Sequence, residues 1–142
     1  MKEFLLILLF GKSVLLTPVP VVLHGSMELQ PEAPIEAITS GASIQIDVSS
    51  IVSWDTKEGI LEFRQRLKKQ FPPGSIKAEL FGDGNKKTTL TYKGNHLFNK
   101  DSVMLSLYGD NGVPTDVEFK KVILTSSIEL KGVKVLWKNH KQ

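Results

Sequence analysis

IKAELFGDGNKKTTLTYKGNHLFNKDSVMLSL, from Ile76 to Leu107, is the stretch that decides the fold class. Within it Ile76, Ala78 and Leu80 alternate with Lys77 and Glu79. Leu90 and Tyr92 alternate with Thr89, Thr91 and Lys93, and Val103, Leu105 and Leu107 with Met104 and Ser106. An apolar residue at every second position puts those side chains on one face of an extended chain, which is the pattern of half-buried strands. Gly82-Asp83-Gly84-Asn85 and Lys93-Gly94-Asn95 stand between the runs, rich in residues that accept positive φ, so antiparallel hairpins are the expected connections.

The same rhythm extends to both sides. Upstream, Ser43 to Ser49 alternates Ile44, Ile46 and Val48 with Gln45 and Asp47. Downstream, after the turn residues Gly109-Asp110-Asn111-Gly112, Val117 and Phe119 keep one parity while Val122 and Leu124 take the other. A slip of one residue near Lys120-Lys121 predicts a β-bulge there. The last strand carries Val133, Val135 and Trp137 inward and Lys134 and Lys138 outward.

One segment follows a different period. Asp55, with Glu58 three residues on, resembles a helix start; Ile60, Phe63, Leu67 and Phe71 share a helical face; Pro72-Pro73-Gly74 ends it. A helix over about 56–70 is expected, with a strand carrying Leu61, Phe63 and Leu67 as its rival. Six or seven strands and one short helix predict a mainly β domain over 43–142, a two-layer antiparallel β-sandwich of immunoglobulin-like or jelly-roll kind.

Ahead of it, Phe4 to Leu23 holds fourteen large apolar residues in twenty, the length of a membrane-crossing helix. Lys12 opposes insertion by about 2.5 to 3.5 kcal/mol, against roughly 4 to 8 returned by the apolar residues. Pro18 and Pro20 disturb the second half. Residues 1–26 therefore read as a membrane anchor or as a signal peptide, the latter with Lys2, an apolar run Phe4–Phe10 and small residues at Gly11 and Ser13. A third reading makes Met27 the true start and the upstream stretch a buried hydrophobic arm or no part of the protein. Residues 27–42, with Pro31, Pro34 and Gly41, read as a linker.

Chemistry is sparse. The chain has no Cys, which removes disulfides, thiolate metal sites and Cys nucleophiles. His24, His96 and His140 stand in no ligand spacing, so no metal or other cofactor is expected. His96 as a general base near Asp101 is outweighed by an exposed hairpin histidine. The oxygen-rich turns around Asp83 and Asp110 lack the alternating acids of a calcium loop, Lys86 and Lys87 following the first. Asp47, Asp55 and Glu62 have no cleft to act in, and no nucleophile elbow or phosphate loop appears.

Eighteen Lys and Arg against fifteen Asp and Glu leave a formal charge of +3, with Lys131, Lys134, Lys138 and Lys141 near the end. That excess is too spread for nucleic acid. Arg64, Arg66, Lys68 and Lys69 suit either a solvated helix face or anionic lipid headgroups. Trp54, Tyr92 and Trp137 each have a place in a core, which leaves Tyr108, at a strand end, as the one aromatic residue suited to a ligand patch. The expected function is a non-enzymatic binding or interaction module, exported and envelope-associated through residues 4–23, with a protein or glycan ligand. The alternatives are a small exported hydrolase whose site is assembled by the fold, and a secreted inhibitor or toxin.

Overall fold

A computed structural model of the chain describes residues 13–55 and 57–139. Lys2, the positions 4–12, Thr56, His140 and Lys141, which the readings above use, lie outside that range. Among the described residues, seven strands and one helix follow in order: β1 (Ser13–Leu15), β2 (Val21–Leu29), β3 (Ser43–Asp47), α1 (Ile60–Gln70), β4 (Ile76–Gly82), β5 (Lys87–Phe98), β6 (Val103–Gly109) and β7 (Phe119–Lys138). The mainly β expectation holds. The sandwich does not, because β7 pairs with β3, β3 with β6, β6 with β5, β5 with β4 and β4 with β7 again, closing a five-stranded barrel.

All five pairings are antiparallel. Strand direction must alternate around such a ring, and an odd number of straight strands cannot alternate. β7 resolves the conflict with its 20 residues: its first part, Phe119–Ser126, runs against β4, and its last, Lys134–Lys138, against β3. The bend lies between them. There, four steps along β7 answer two along β2 (Leu23 to Gly25), and three answer the next two (Val21 to Leu23), so the middle of β7 holds surplus, bulged residues. Ser126 Oγ turns back on Ile128, donating to its carbonyl at 2.6 Å. Gly132 takes φ +69, where an L side chain is strained, and Ser50 Oγ donates to its carbonyl oxygen at 2.7 Å.

The alternating residues of β3 to β7 fill the barrel. Ile44, Ile46, Ile76, Ala78, Leu80, Leu90, Tyr92, Leu105, Leu107, Val133, Val135 and Trp137 are fully buried. The slip at Lys120-Lys121 is real: Phe81 faces Lys121 and Gly82 faces Phe119, leaving Lys120 as the extra residue. Lys93-Gly94-Asn95 is a bulge rather than a turn. β5 runs through it with Gly94 at φ +95, and pairing with β6 jumps from Tyr92 to Asn95. The hairpin lies farther on, where Asn99 Oδ1 accepts from the backbone N–H of Asp101 and of Ser102.

The helix at 60–70 settles the rivalry at 56–70 against the strand. It begins after the expected start because Asp55 Oδ1 accepts from Lys57 N in a turn, leaving Gly59 at the N-cap. Phe63 and Leu67 pack inward, while Ile60 is exposed.

Residues 13–29 belong to the sheet. β1 and β2 both pair with β7, and Leu16 and Leu23 are buried. Pro18 and Pro20 separate the two strands; Leu16 N donates to Val135 O, and Thr17 Oγ1 accepts from Val135 N. Downstream, where a linker was expected, Ile35 exchanges two backbone hydrogen bonds with Phe119 and, like Ala37 and Ala42, is buried. Among the described residues no helix is long and apolar enough to cross a membrane. A helix over 4–23 and strands at 13–15 and 21–29 are exclusive uses of the same residues.

Leu23→Ala should cost about 2–5 kcal/mol, as removal of a fully buried leucine does, whereas the exposed neighbour Val22→Ala should change stability by less than about 0.5 kcal/mol. Urea unfolding of the two variants checks this. Equal midpoints would mean that β2 is not part of the folded unit.

Candidate functional site

A sizeable concavity lies where the N-terminal arm crosses the end of β7. β1 lies along Leu136–Lys138. Pro18 turns the chain away, and after β2 the segment Gln30–Glu36 returns alongside. Between them opens a groove of about 440 Å³, walled by Val14, Leu15, Leu16, Pro18, Pro31 and Ile35, among others. That volume is within the range of small-ligand sites.

The floor is Trp137, whose side chain is wholly buried and whose Nε1 donates to the Glu36 carbonyl at 3.3 Å. The same carbonyl accepts from Asn139 Nδ2 at 3.0 Å, and Asn139 Oδ1 accepts from Ile38 N at 2.8 Å. Asn139 is itself buried and paired on both sides of its amide, so it holds the returning segment at a set height above the tryptophan. Pro31 and Pro34 stiffen that wall by fixing φ.

The groove is mainly apolar, with Leu15 45% exposed along it. Among the described residues its charged lining residues are Glu32 and Glu36, both exposed, and none is basic. β1 pairs with β7 on one edge, and no strand among the described residues pairs with its second edge. An apolar slot with one open strand edge and an acidic rim can take an extended chain through its backbone and hold apolar side chains. A cation then finds the carboxylates.

The residues singled out from the sequence lie elsewhere. Tyr108 is half-buried on β6 opposite Thr91 and is not part of the groove. Asp83 pairs with Lys120 at 2.9 Å and Asp110 with Lys93, which makes both oxygen-rich turns surface ion pairs. Among the described residues no group of three His, Asp or Glu is placed to hold a metal. Trp54 meets Phe98 edge-on at 5.3 Å between ring centres, stacks near Phe63, and donates Nε1 to the Glu58 carbonyl, a structural role beneath α1. Arg66 is held by Glu58 and by the Ser53 carbonyl.

His96 corrects an expectation. It is half-buried within β5, opposite Leu105, and not on an exposed hairpin; its Nε2 is shielded from solvent and has no hydrogen-bond partner. Its neighbour Tyr92 likewise has an unpartnered hydroxyl, and burial lifts the Tyr92 pKa to about 12. Burial first, then the nearby cations Lys68 and Arg64, hold the His96 pKa below its usual 6.5.

Sequence reasoning missed the groove because residues 13–18 read as part of an apolar span and 30–36 as linker. The visible signal was Trp137, an aromatic residue at the end of the last strand. No protein-family model, curated protein or solved structure matches the chain.

A depressed histidine pKa has a definite consequence for stability. Above about pH 6.5 His96 is neutral folded or unfolded. As pH falls through that value the unfolded chain takes up the proton first, so stability declines until the folded form protonates too. Urea unfolding of wild type and His96→Gln should show the wild type losing ground to the variant between pH 7.5 and pH 5. A constant gap across that range would remove His96 as the cause.

Proposed function

We propose that the chain is a non-enzymatic, envelope-associated binding module that captures an extended peptide segment of a partner protein in the groove over Trp137. The observation that carries this reading is a slot of about 440 Å³ lined by β1, whose second edge has no strand partner among the described residues, with apolar walls and a rim of Glu32 and Glu36. A strand added to β1 gains affinity from main-chain hydrogen bonds and specificity from alternate side chains. The matching segment is extended, apolar at alternate positions, and carries Lys or Arg near one end.

Export is the second half of the proposal, and its support is the apolar run Phe4–Phe10 after Lys2. A cut near Gly11–Ser13 suits the groove, because it keeps Val14, Leu15 and Leu16. A cut before Met27 would take away β1, most of β2 and the wall formed by Val14, Leu15 and Leu16. Intact mass of the protein expressed from its own start codon reports which product forms.

Selection from a displayed library of random linear peptides tests the binding function. Enriched peptides should alternate apolar residues and carry a basic one, and Leu15→Asp should weaken them roughly tenfold or more, as loss of a central apolar contact does. Glu32→Lys with Glu36→Lys should reverse the charge preference. No enrichment, or a glycan array that responds while peptides do not, would defeat the peptide reading.

A further inference from the structure

We infer that the exposed side of α1 is a docking surface for an anionic lipid bilayer. Within the helix, Phe63 and Leu67 meet the whole demand of the core, since both are fully buried. Ile60 and Leu61 are then surplus apolar residues, 49% and 72% exposed in the first turn. Single exposed apolar residues are common on protein surfaces, but two adjacent ones on an otherwise charged helix are not required by the fold.

The cations of the same helix stand in line with them. Ile60, Arg64 and Lys68 occupy i, i+4 and i+8, and Leu61 leads to Lys68 and Lys69 at i+7 and i+8, so each apolar residue heads a ridge that ends in positive charge. Lys57 precedes the helix. From Lys57 to Gln70 there are five basic and two acidic residues, a local excess of +3 that equals the formal charge of the entire chain.

The acids hardly offset this. Glu58 is committed to Arg66, whose Nη2 and Nε lie 2.9 and 3.2 Å from its carboxylate oxygens. Glu62 is the one carboxylate left on the exposed side of the helix. Arg64, Lys68 and Lys69 have no carboxylate partner among the described residues, and Arg64 lies 5.9 Å from the centre of the Phe98 ring. Their positive field reaches His96 on β5, where, after burial, Lys68 and Arg64 help to hold the imidazole neutral.

Surplus leucine and isoleucine tips beside unpaired cations complement a surface that offers hydrocarbon just below phosphates. A soluble polyanion would use the cations and leave Ile60 and Leu61 idle, which is why a bilayer is the occupant that accounts for both. Ile60 and Leu61 enter the interface, and Arg64, Lys68 and Lys69 meet the headgroups.

This inference deepens the envelope half of the proposed function and uses no residue of the groove. Peptide capture without vesicle binding would leave that reading standing, and vesicle binding without peptide capture would leave this one.

The test is co-sedimentation of the full chain with phosphatidylcholine vesicles, with and without about one-third phosphatidylglycerol, at low and at 0.5 M salt, using variants whose helix content matches wild type by circular dichroism. The expected result is binding that requires phosphatidylglycerol and falls about fivefold for each of Arg64→Gln and Lys68→Gln. It should drop at least about tenfold in Leu61→Asp, and weaken in salt. Binding retained by all three variants would mean that another part of the chain, Phe4–Phe10 first, contacts the lipid, and the inference fails. Loss in the Arg and Lys variants with Leu61→Asp unchanged would make the face a site for polyanions, and absence of vesicle binding would end it outright.

Discussion

An odd ring of antiparallel strands cannot close unless one strand changes direction, and the rest of this molecule is arranged around how β7 does so. Its first part runs against β4 and its last against β3, so the bend between Ser126 and Gly132 is a condition of closure. The local chemistry supports the bend directly. Ser126 satisfies backbone groups that lose their ladder partners, Ser50 reaches across to the Gly132 carbonyl, and Gly132 supplies the positive φ. Surplus residues at a bulge increase local twist and let a strand turn a barrel corner.

A long, bent strand has a long second edge, and that edge is where the N-terminal arm lies. β1 and β2 pair in turn along β7, β2 running past the bend and Pro18 and Pro20 interrupting the two strands opposite Val133–Leu136. The groove follows from this arrangement. Two prolines push the chain away from the sheet, the segment 30–36 returns to pair Ile35 with Phe119, and Trp137 fills the floor of the space left between.

Positions within strands were legible in the sequence, while their partners were not. Alternation put Ile44, Leu90, Leu105 and Val135 inward because it records which side of a pleat is dry, and the parity change at Lys120-Lys121 showed its bulge for the same reason. Closure left no such trace, since an alternating strand looks alike in a sandwich and in a barrel. Gly94 was ambiguous because a turn and a bulge ask the same positive φ of glycine, and only the partner strand distinguishes them. The helix showed its period through Phe63 and Leu67, but its start depended on Asp55 capping a turn instead of the helix. The groove was the least legible feature, since Gln30–Glu36 has no period of its own and owes its position to the buried amide of Asn139.

Residues 13–23 carry the deepest ambiguity, and its cause is physical. A β arm laid on a barrel and a membrane helix both call for a run of Val and Leu, and hydropathy alone does not tell them apart. Energetics within this fold weigh on one side. Withdrawing 13–23 would take the buried Leu16 and Leu23 out of the core, cost β7 the partners of Val133 and Leu136–Lys138 on the edge away from β3, and leave the end of a long apolar strand edge open to another chain. In a barrel that keeps its arm, residues 13–23 are engaged in the sheet, so the membrane contact inferred above would fall to the surface cations beside Ile60 and Leu61 and not to a helix over 4–23.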